Sequence, residues 1–316
     1  MMRRFTGVLL FAAVIPILLY GCGAGPSYNA GLSDLGGVFS SREDDLDLRL
    51  EVSGRLSEGV SSSVEFQDIR SIAGGQDGVL SNKLLRWGIA RKSDNRTPAA
   101  DPGAPELLAK YGGAYIGDID EKKIYLTFDE GYENGYTPVI LDALRDNRVR
   151  AAFFITGPYL NVHQDLVRRM VEEGHIVGNH TIHHPSLPEV GDSQLEEEVL
   201  GLDRAFYDKF GQHMKFLRPP KGEYSERTLA LTWRLGYCNL FWSFAYDDWY
   251  RDRIRGPQYA YDMVMRNLHN GAVLLLHAVS KDNAQALDRI IKGAQEKGYV
   301  FGDPDELFPQ KEEGDD

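Results

Sequence analysis

Two adjacent carboxylates, Asp129 and Glu130, close a short apolar run at residues 124–128 and are followed by Gly131. Neighbouring side chains on a strand point to opposite faces, so adjacent acids share one site only if the chain turns there, as glycine permits. On that reading both carboxylates project from the strand's C-terminal end, where barrel enzymes carry catalytic groups. The other reading is an acidic loop capping a helix that starts near Tyr136. Three histidines, His180, His183 and His184, follow within five residues. On one helical turn the spacing of His180 and His184 puts both rings on one face, half of a metal site that a carboxylate completes. Spacing leaves His183 open.

Arg218 precedes Pro219, Pro220, Lys221 and Gly222. The prolines fix the chain behind it, and a rigidly placed arginine suits bidentate pairing with a carboxylate such as Asp129; a surface arginine is the alternative. Residues 242–249 mix aromatics with Asp247 and Asp248, and Trp249 is favoured over Trp242 as a surface for stacking sugar. His277 follows the apolar run 274–276. A lone histidine there is structural in most settings, but at the C-terminal end of a barrel strand it reads as catalytic. His163, His213 and His269 read as solvated surface residues, His175 as structural, and Cys238 as a buried, inert thiol.

These residues need a scaffold that gathers strand ends. Strand-like runs at 124–129, 151–156, 175–180, 214–219, 237–244, 272–278 and 299–301 alternate with helical patterns at 138–145, 166–173, 194–210, 226–235, 259–268 and 283–297. Gly174, Gly211, Gly236, Gly271 and Gly298 follow helical patterns as stop signals. Such alternation implies an α/β fold with a parallel sheet. The expectation is a distorted (β/α) barrel of about seven parallel strands, closed or nearly so, with an open doubly wound sheet as the alternative. No glycine-rich nucleotide loop follows the first strand.

The chain has 316 residues and a formal net charge of -12, which disfavours nucleic acid as a partner and suits a secreted or surface protein. Two cysteines exclude a disulfide scaffold. Residues 1–22 read as a signal segment: Arg3 and Arg4, an apolar stretch too short to span comfortably, then Leu19 to Cys22. That ending resembles a bacterial lipobox, implying cleavage before Cys22 and lipidation of its sulfur; an ordinary signal peptide is the alternative. Residues 23–78 read as a flexible spacer, 79–121 as an arm packing on the barrel, 122–308 as the catalytic domain and 309–316 as an acidic tail.

Taken in order, the acid pair, H-T-x-x-H, R-P-P-x-G, the aromatic-acid segment and L-x-L-H resemble the polysaccharide deacetylase family, the NodB-homology domain. The resemblance covers about residues 80–308. Residues 131–137, 217–231 and 277–288 are similar to the sporulation-type subgroup, the delta-lactam-biosynthetic de-N-acetylases. The resemblance implies a metal-dependent hydrolase that removes the acetyl group from N-acetylmuramic acid in peptidoglycan, toward muramic delta-lactam. It further implies Asp129 as general base, His277 as general acid, Arg218 orienting the base and Asp247 tuning the acid, with Asp248 beside it leaving that last choice loose. His180, His184 and Glu130 would be the metal ligands, zinc before other divalent cations. Tyr132, Pro219, Pro220, Gly222 and Trp249 would bind substrate. Peptidoglycan strands are the implied partner of a monomer, anchored outside the cytoplasm through Cys22. A GlcNAc or chitooligosaccharide deacetylase and a non-catalytic glycan-binding lipoprotein are the alternatives. Amide hydrolysis suits the residue set, since it needs an activated water and a protonated leaving amine. A glycosidase's two carboxylates would leave the His180/His184 pair unexplained.

Overall fold

The computed structural model describes residues 79–92 and 95–307. The expected signal segment with Cys22, the expected spacer and the expected acidic tail lie outside them. Among the described residues, no helix is long and apolar enough to cross a membrane.

The first described stretch carries β1 (Leu85–Arg86), β2 (Ile89–Ala90), β3 (Ala99–Ala100) and α1 (Ala104–Lys110). Alternation then sets in with β4 (Lys123–Glu130), α2 (Thr137–Asn147), β5 (Ala151–Ile155), α3 (Gly157–Val162), α4 (Gln164–Glu172), β6 (Ile176–Asn179) and α5 (Asp192–Phe210). It continues through β7 (Phe216–Leu217), β8 (Glu223–Tyr224), α6 (Glu226–Arg234), β9 (Cys238–Asn239), α7 (Pro257–Asn267), β10 (Ala272–His277), α8 (Lys281–Glu296) and β11 (Val300–Phe301). Local chemistry sets the boundaries. Ser225 and Thr228 form a reciprocal capping box on α6, and the Ser280 hydroxyl caps α8. Gly211 ends α5 in the left-handed conformation.

The main sheet is parallel in the order β10-β4-β5-β6-β7-β9, with β11 also on β4. It is the expected α/β architecture, curled as a half-barrel rather than closed by a full ladder. Beyond β9 the chain reaches β10 through a single parallel bridge, Phe244 to Leu274. β7 and β9 keep only two residues each, shorter than their apolar runs. After β7, Pro219 and Pro220 have no N–H to extend the ladder.

Parity along β4 sorts its two faces. Ile124, Leu126 and Phe128 join the large cluster with α2, α7 and α8 residues such as Leu141, Val264 and Ile290. Tyr125 joins the inner cluster with Phe154, Phe216 and Val273. β10 follows suit, with Leu274 and Leu276 outward and Val273 inward. Odd positions of both strands therefore face the inside of the curl. The register sets His277 directly beside Asp129.

The stretch before β4 packs on this frame. β1 pairs antiparallel with β8, and the Trp87 backbone N–H donates to the Gly222 carbonyl at 2.8 Å. Its indole Nε1 donates to the Trp242 carbonyl at 2.9 Å.

Candidate active site

Asp129, His180, His184 and His277 line one cleft of about 890 Å³ at the C-terminal ends of the strands. Asp129 is anchored by Arg218, whose side chain is 0% exposed. Arg218 Nη1 donates to Asp129 Oδ1 at 2.7 Å, Nη2 to Thr127 Oγ1 at 2.9 Å and Nε to the Leu240 carbonyl at 2.9 Å. The guanidinium also lies over the Phe154 ring, 4.1 Å from its centroid. The pairing expected to be bidentate uses one N–H, because the others are spent on holding the arginine. Burial alone would raise the proton affinity of Asp129, but Arg218, His180 and His277 outweigh it and hold the carboxyl below its usual value. Oδ2, free of Arg218, lies 3.5 Å from His180 Nε2.

His180 and His184 do not sit on a helical turn. Residues 180–184 form an irregular loop after β6. Thr181 (φ 67°) and His184 (φ 60°) both adopt left-handed backbone, at a cost of roughly 1–3 kcal/mol each. The loop is tied down by Thr181 N–H to Asn179 Oδ1 at 2.9 Å and His184 N–H to Thr181 Oγ1 at 3.0 Å. This path brings the two rings to 4.7 Å, edge to face. The Arg218 carbonyl can only accept, so the His180 Nδ1 at 2.8 Å carries the hydrogen and Nε2 keeps its lone pair. Burial lowers both proton affinities, His184 to about 4, so both rings are neutral, the form that ligates. His183 also lines the cleft, but its Nδ1 is engaged by Glu198 Oε1 at 2.8 Å.

Glu130 does not join them. β4 stays extended through Glu130, and Gly131 is not in the positive-φ region. The chain bends at Gly131 and Tyr132, only after the strand has already placed both acids, so they stay on opposite faces. Glu130 follows Phe128 onto the outer face, 0% exposed, with neither carboxylate oxygen hydrogen-bonded. The nearby Thr137 hydroxyl donates to Glu133 instead. Burial first, then the Glu133 and Asp129 charges, raise the Glu130 carboxyl well above the usual range, although Thr137 pulls slightly the other way. Among the described residues no group of three or more His, Cys, Asp or Glu gathers as a metal would need. The donors that fit a divalent cation are the two neutral imidazoles, with further positions left to water or substrate oxygen.

His277 Nδ1 lies 2.7 Å from Asp248 Oδ1, and its backbone N–H donates to Asp248 Oδ2 at 2.9 Å. The Asp248 side chain is 1% exposed. Asn283 Nδ2 donates to it in turn. Burial opposes charge on His277, but Asp248 and Asp129 outweigh it and raise the ring above its usual value. Asp247, the expected partner, also lines the cleft but is spent on Arg253 and Arg255. Adjacent acids again take different partners, and here the second one engages the histidine.

Of the expected substrate contacts, Tyr132, Gly222 and Trp249 line the cleft. Trp249 is 44% exposed, with its ring 5.6 Å from His277. Pro219 and Pro220 are buried and do not line it; they shape the turn that carries Lys221. Arg91 and Lys221 line the cleft but are not signalled by the sequence as site residues, and Trp242, ranked below Trp249 for stacking, lines it too. His269, expected on the surface, is 2% exposed, with Nε2 2.8 Å from Ser243 Oγ. His175 is structural, its Nδ1 accepting from the Ala151 N–H at 3.2 Å. Cys238 is buried and its thiol is pushed up to about 12, so it is inert.

Residues 117–240 match the family model described as polysaccharide deacetylase. The peptidoglycan-N-acetylmuramic acid deacetylase PdaA of Bacillus subtilis is 43% identical over 244 residues, 76% of this chain and 93% of PdaA. Its solved structure, described as a family 4 carbohydrate esterase, superposes with a TM-score of 0.71, covering 72% of this chain and 98% of that one. A family 4 carbohydrate esterase from Bacillus anthracis gives 0.61 at 45% identity, over 73% and 98%. A peptidoglycan-N-acetylglucosamine deacetylase of Bacillus cereus is 31% identical over 65% of this chain and 75% of its own length.

Proposed function

The chain belongs to the polysaccharide deacetylase family, and on that footing we propose that it removes the N-acetyl group from N-acetylmuramic acid in peptidoglycan. The observation that carries the chemistry is the β4–β10 register, which sets Asp129 beside His277. Each has its proton state set by a buried partner of opposite charge, Arg218 and Asp248. The muramic preference rests on the likeness to PdaA.

In this reading Asp129 is the general base. Oδ1 is pinned by Arg218, and Oδ2 faces the cleft and takes the proton of the attacking water. His277, kept protonated by Asp248, stands on the next strand and gives its proton to the nitrogen of the departing amine. Groups so placed contribute about 10²–10⁴-fold each. His180 and His184 would hold a divalent cation, zinc first. When bound, such a cation polarises the acetyl carbonyl and acidifies water. Trp249 and Tyr132 would flank the sugar, their positions fixed by the Tyr132 hydroxyl donating to the Trp249 carbonyl at 3.2 Å. The product carries a free amine beside the lactyl ether. A free lactyl carboxylate on the same sugar could later close onto that amine as a lactam.

The deciding experiment is incubation with defined glycan strands and mass spectrometry for acetyl loss. Turnover of peptide-free muramic acid is expected. Activity confined to chitooligosaccharides would overturn the reading. The Leu19–Cys22 sequence supports an extracytoplasmic, lipid-anchored protein, for which a single acyl chain would be marginal and a diacylglyceryl group adequate. Cys22→Ala should shift it from the membrane to the soluble fraction, and unchanged fractionation would count against the anchor.

A further inference from the structure

We propose that Lys221 reads the lactyl carboxylate of a muramic acid whose peptide has been removed, and so sets the preference between muramic acid and glucosamine. The inference rests on the deacetylase reading above and assigns its specificity to a residue.

Lys221 lines the cleft three positions after Arg218, on the loop that ends β7. Its backbone is left-handed, φ 60° and ψ 5°, a conformation that glycine adopts far more readily than lysine. The turn is held on both sides. The Gly222 N–H donates to the Pro219 carbonyl at 3.1 Å, and the Gly222 carbonyl accepts from Trp87 at 2.8 Å. A strained non-glycine residue at a cleft points to a use for its side chain.

The ammonium has no partner of its own. Asp129 is taken by Arg218, Asp247 by Arg253 and Arg255, Asp248 by His277, and Glu223 by Arg86. No hydrogen bond or ion pair engages Lys221 among the described residues. In a chain of net charge -12, an uncommitted cation in the cleft calls for an anion from the substrate. Peptidoglycan offers one close to the reaction, because the lactyl ether is on the carbon next to the acetamido carbon. Lys221 lines the same cleft as Asp129, His180, His184 and His277, so its ammonium and the reacting acetamide share one chamber. Pro158, Ile182 and Trp242 in the same lining are apolar and suit a sugar face and the lactyl methyl. Arg91 is the cleft's other uncommitted cation. It belongs to the arm and packs over Phe244 at 5.9 Å, away from the histidine pair.

The test compares glycan strands with free lactyl carboxylates against the same strands with those carboxylates converted to methylamides. The parent enzyme should prefer the free acid through KM. Lys221→Met should cut that preference about tenfold, Lys221→Arg should keep most of it, and Arg91→Met should leave it in place. Preference retained in Lys221→Met, or lost only in Arg91→Met, overturns the assignment. Should the parent turn over neither strand, the deacetylase reading fails separately. Calorimetric binding of N-acetylmuramic acid to Asp129→Asn, with and without Lys221→Met, then still decides Lys221. About tenfold weaker binding supports it and equal binding removes it.

Discussion

The two faces of the β4 terminus hold adjacent carboxylates in opposite states. On the inner face Asp129 faces the Arg218 guanidinium and the raised His277 ring, and its carboxyl is held below its usual value. On the outer face Glu130 has only other acids and a hydroxyl that donates elsewhere, and burial with those charges raises its carboxyl well above the usual range. Burial is common to both, so it does not decide the charge. The partner does: one guanidinium within 2.7 Å turns a costly buried acid into a base available near neutral pH.

The strongest way to break this contrast is to remove the inner carboxylate. Asp129→Asn should lose about 10²–10⁴-fold in kcat, with unchanged circular dichroism and metal content, and His277→Ala should match it. Retention of more than a tenth of the activity by either would dismiss that residue as a proton carrier.

Next come the ligands. His180→Ala and His184→Ala should lose most bound metal in elemental analysis, whereas Glu130→Gln should keep it. Metal loss in Glu130→Gln would mean the outer carboxylate swings to the cleft and the contrast between the faces fails.

The same contrast recurs at Asp247 and Asp248. His277 is raised above its usual value, so kcat/KM should fall as pH climbs through that raised value. Asp248→Asn removes the charge that raises it and should move the basic limb to lower pH. Asp247→Asn should leave the limb where it is. A shift in the second variant alone would restore Asp247 as the partner.

The smallest effect is on stability. Glu130 has a folded-state pKa above its unfolded value, so its contribution is fully present below about 4.5 and is lost as pH rises toward the folded value. Glu130→Gln should therefore melt a few degrees above the parent at pH 7 and level with it near pH 4. An equal gap at both pH values would show that the carboxyl carries no proton penalty.

The fold was legible because all seven main-sheet strands announce themselves as apolar runs between helical patterns. The main difference lies in β7 and β9, cut short where proline or the curl withdraws backbone partners. In the site, Asp129, Arg218, His180, His184 and His277 were marked by residue type at strand ends. What sequence could not give was direction. Whether Glu130 shared a site with Asp129 depended on where the chain bends, and it bends at Gly131, one residue past the end of the strand. The choice between Asp247 and Asp248 depended on which acid the loop after Phe244 brings to His277 and which it brings to Arg253 and Arg255. Lys221 carries no mark in the sequence, because its left-handed backbone and its place in the cleft exist only in three dimensions.

The pairing of Asp129 with His277 across β4 and β10 has a consequence for how the protein can fail. The distance between base and acid is set by the ladder that joins residues 124–129 to 272–277, inside a buried sheet. Amides on that ladder should exchange with deuterium only through global opening, while those of the 180–184 loop exchange through local fluctuations. Mild heat or denaturant should therefore disable the histidine loop first, in a step that refolding of a few residues reverses. Loss of the proton-transfer pair should coincide with unfolding of the whole sheet.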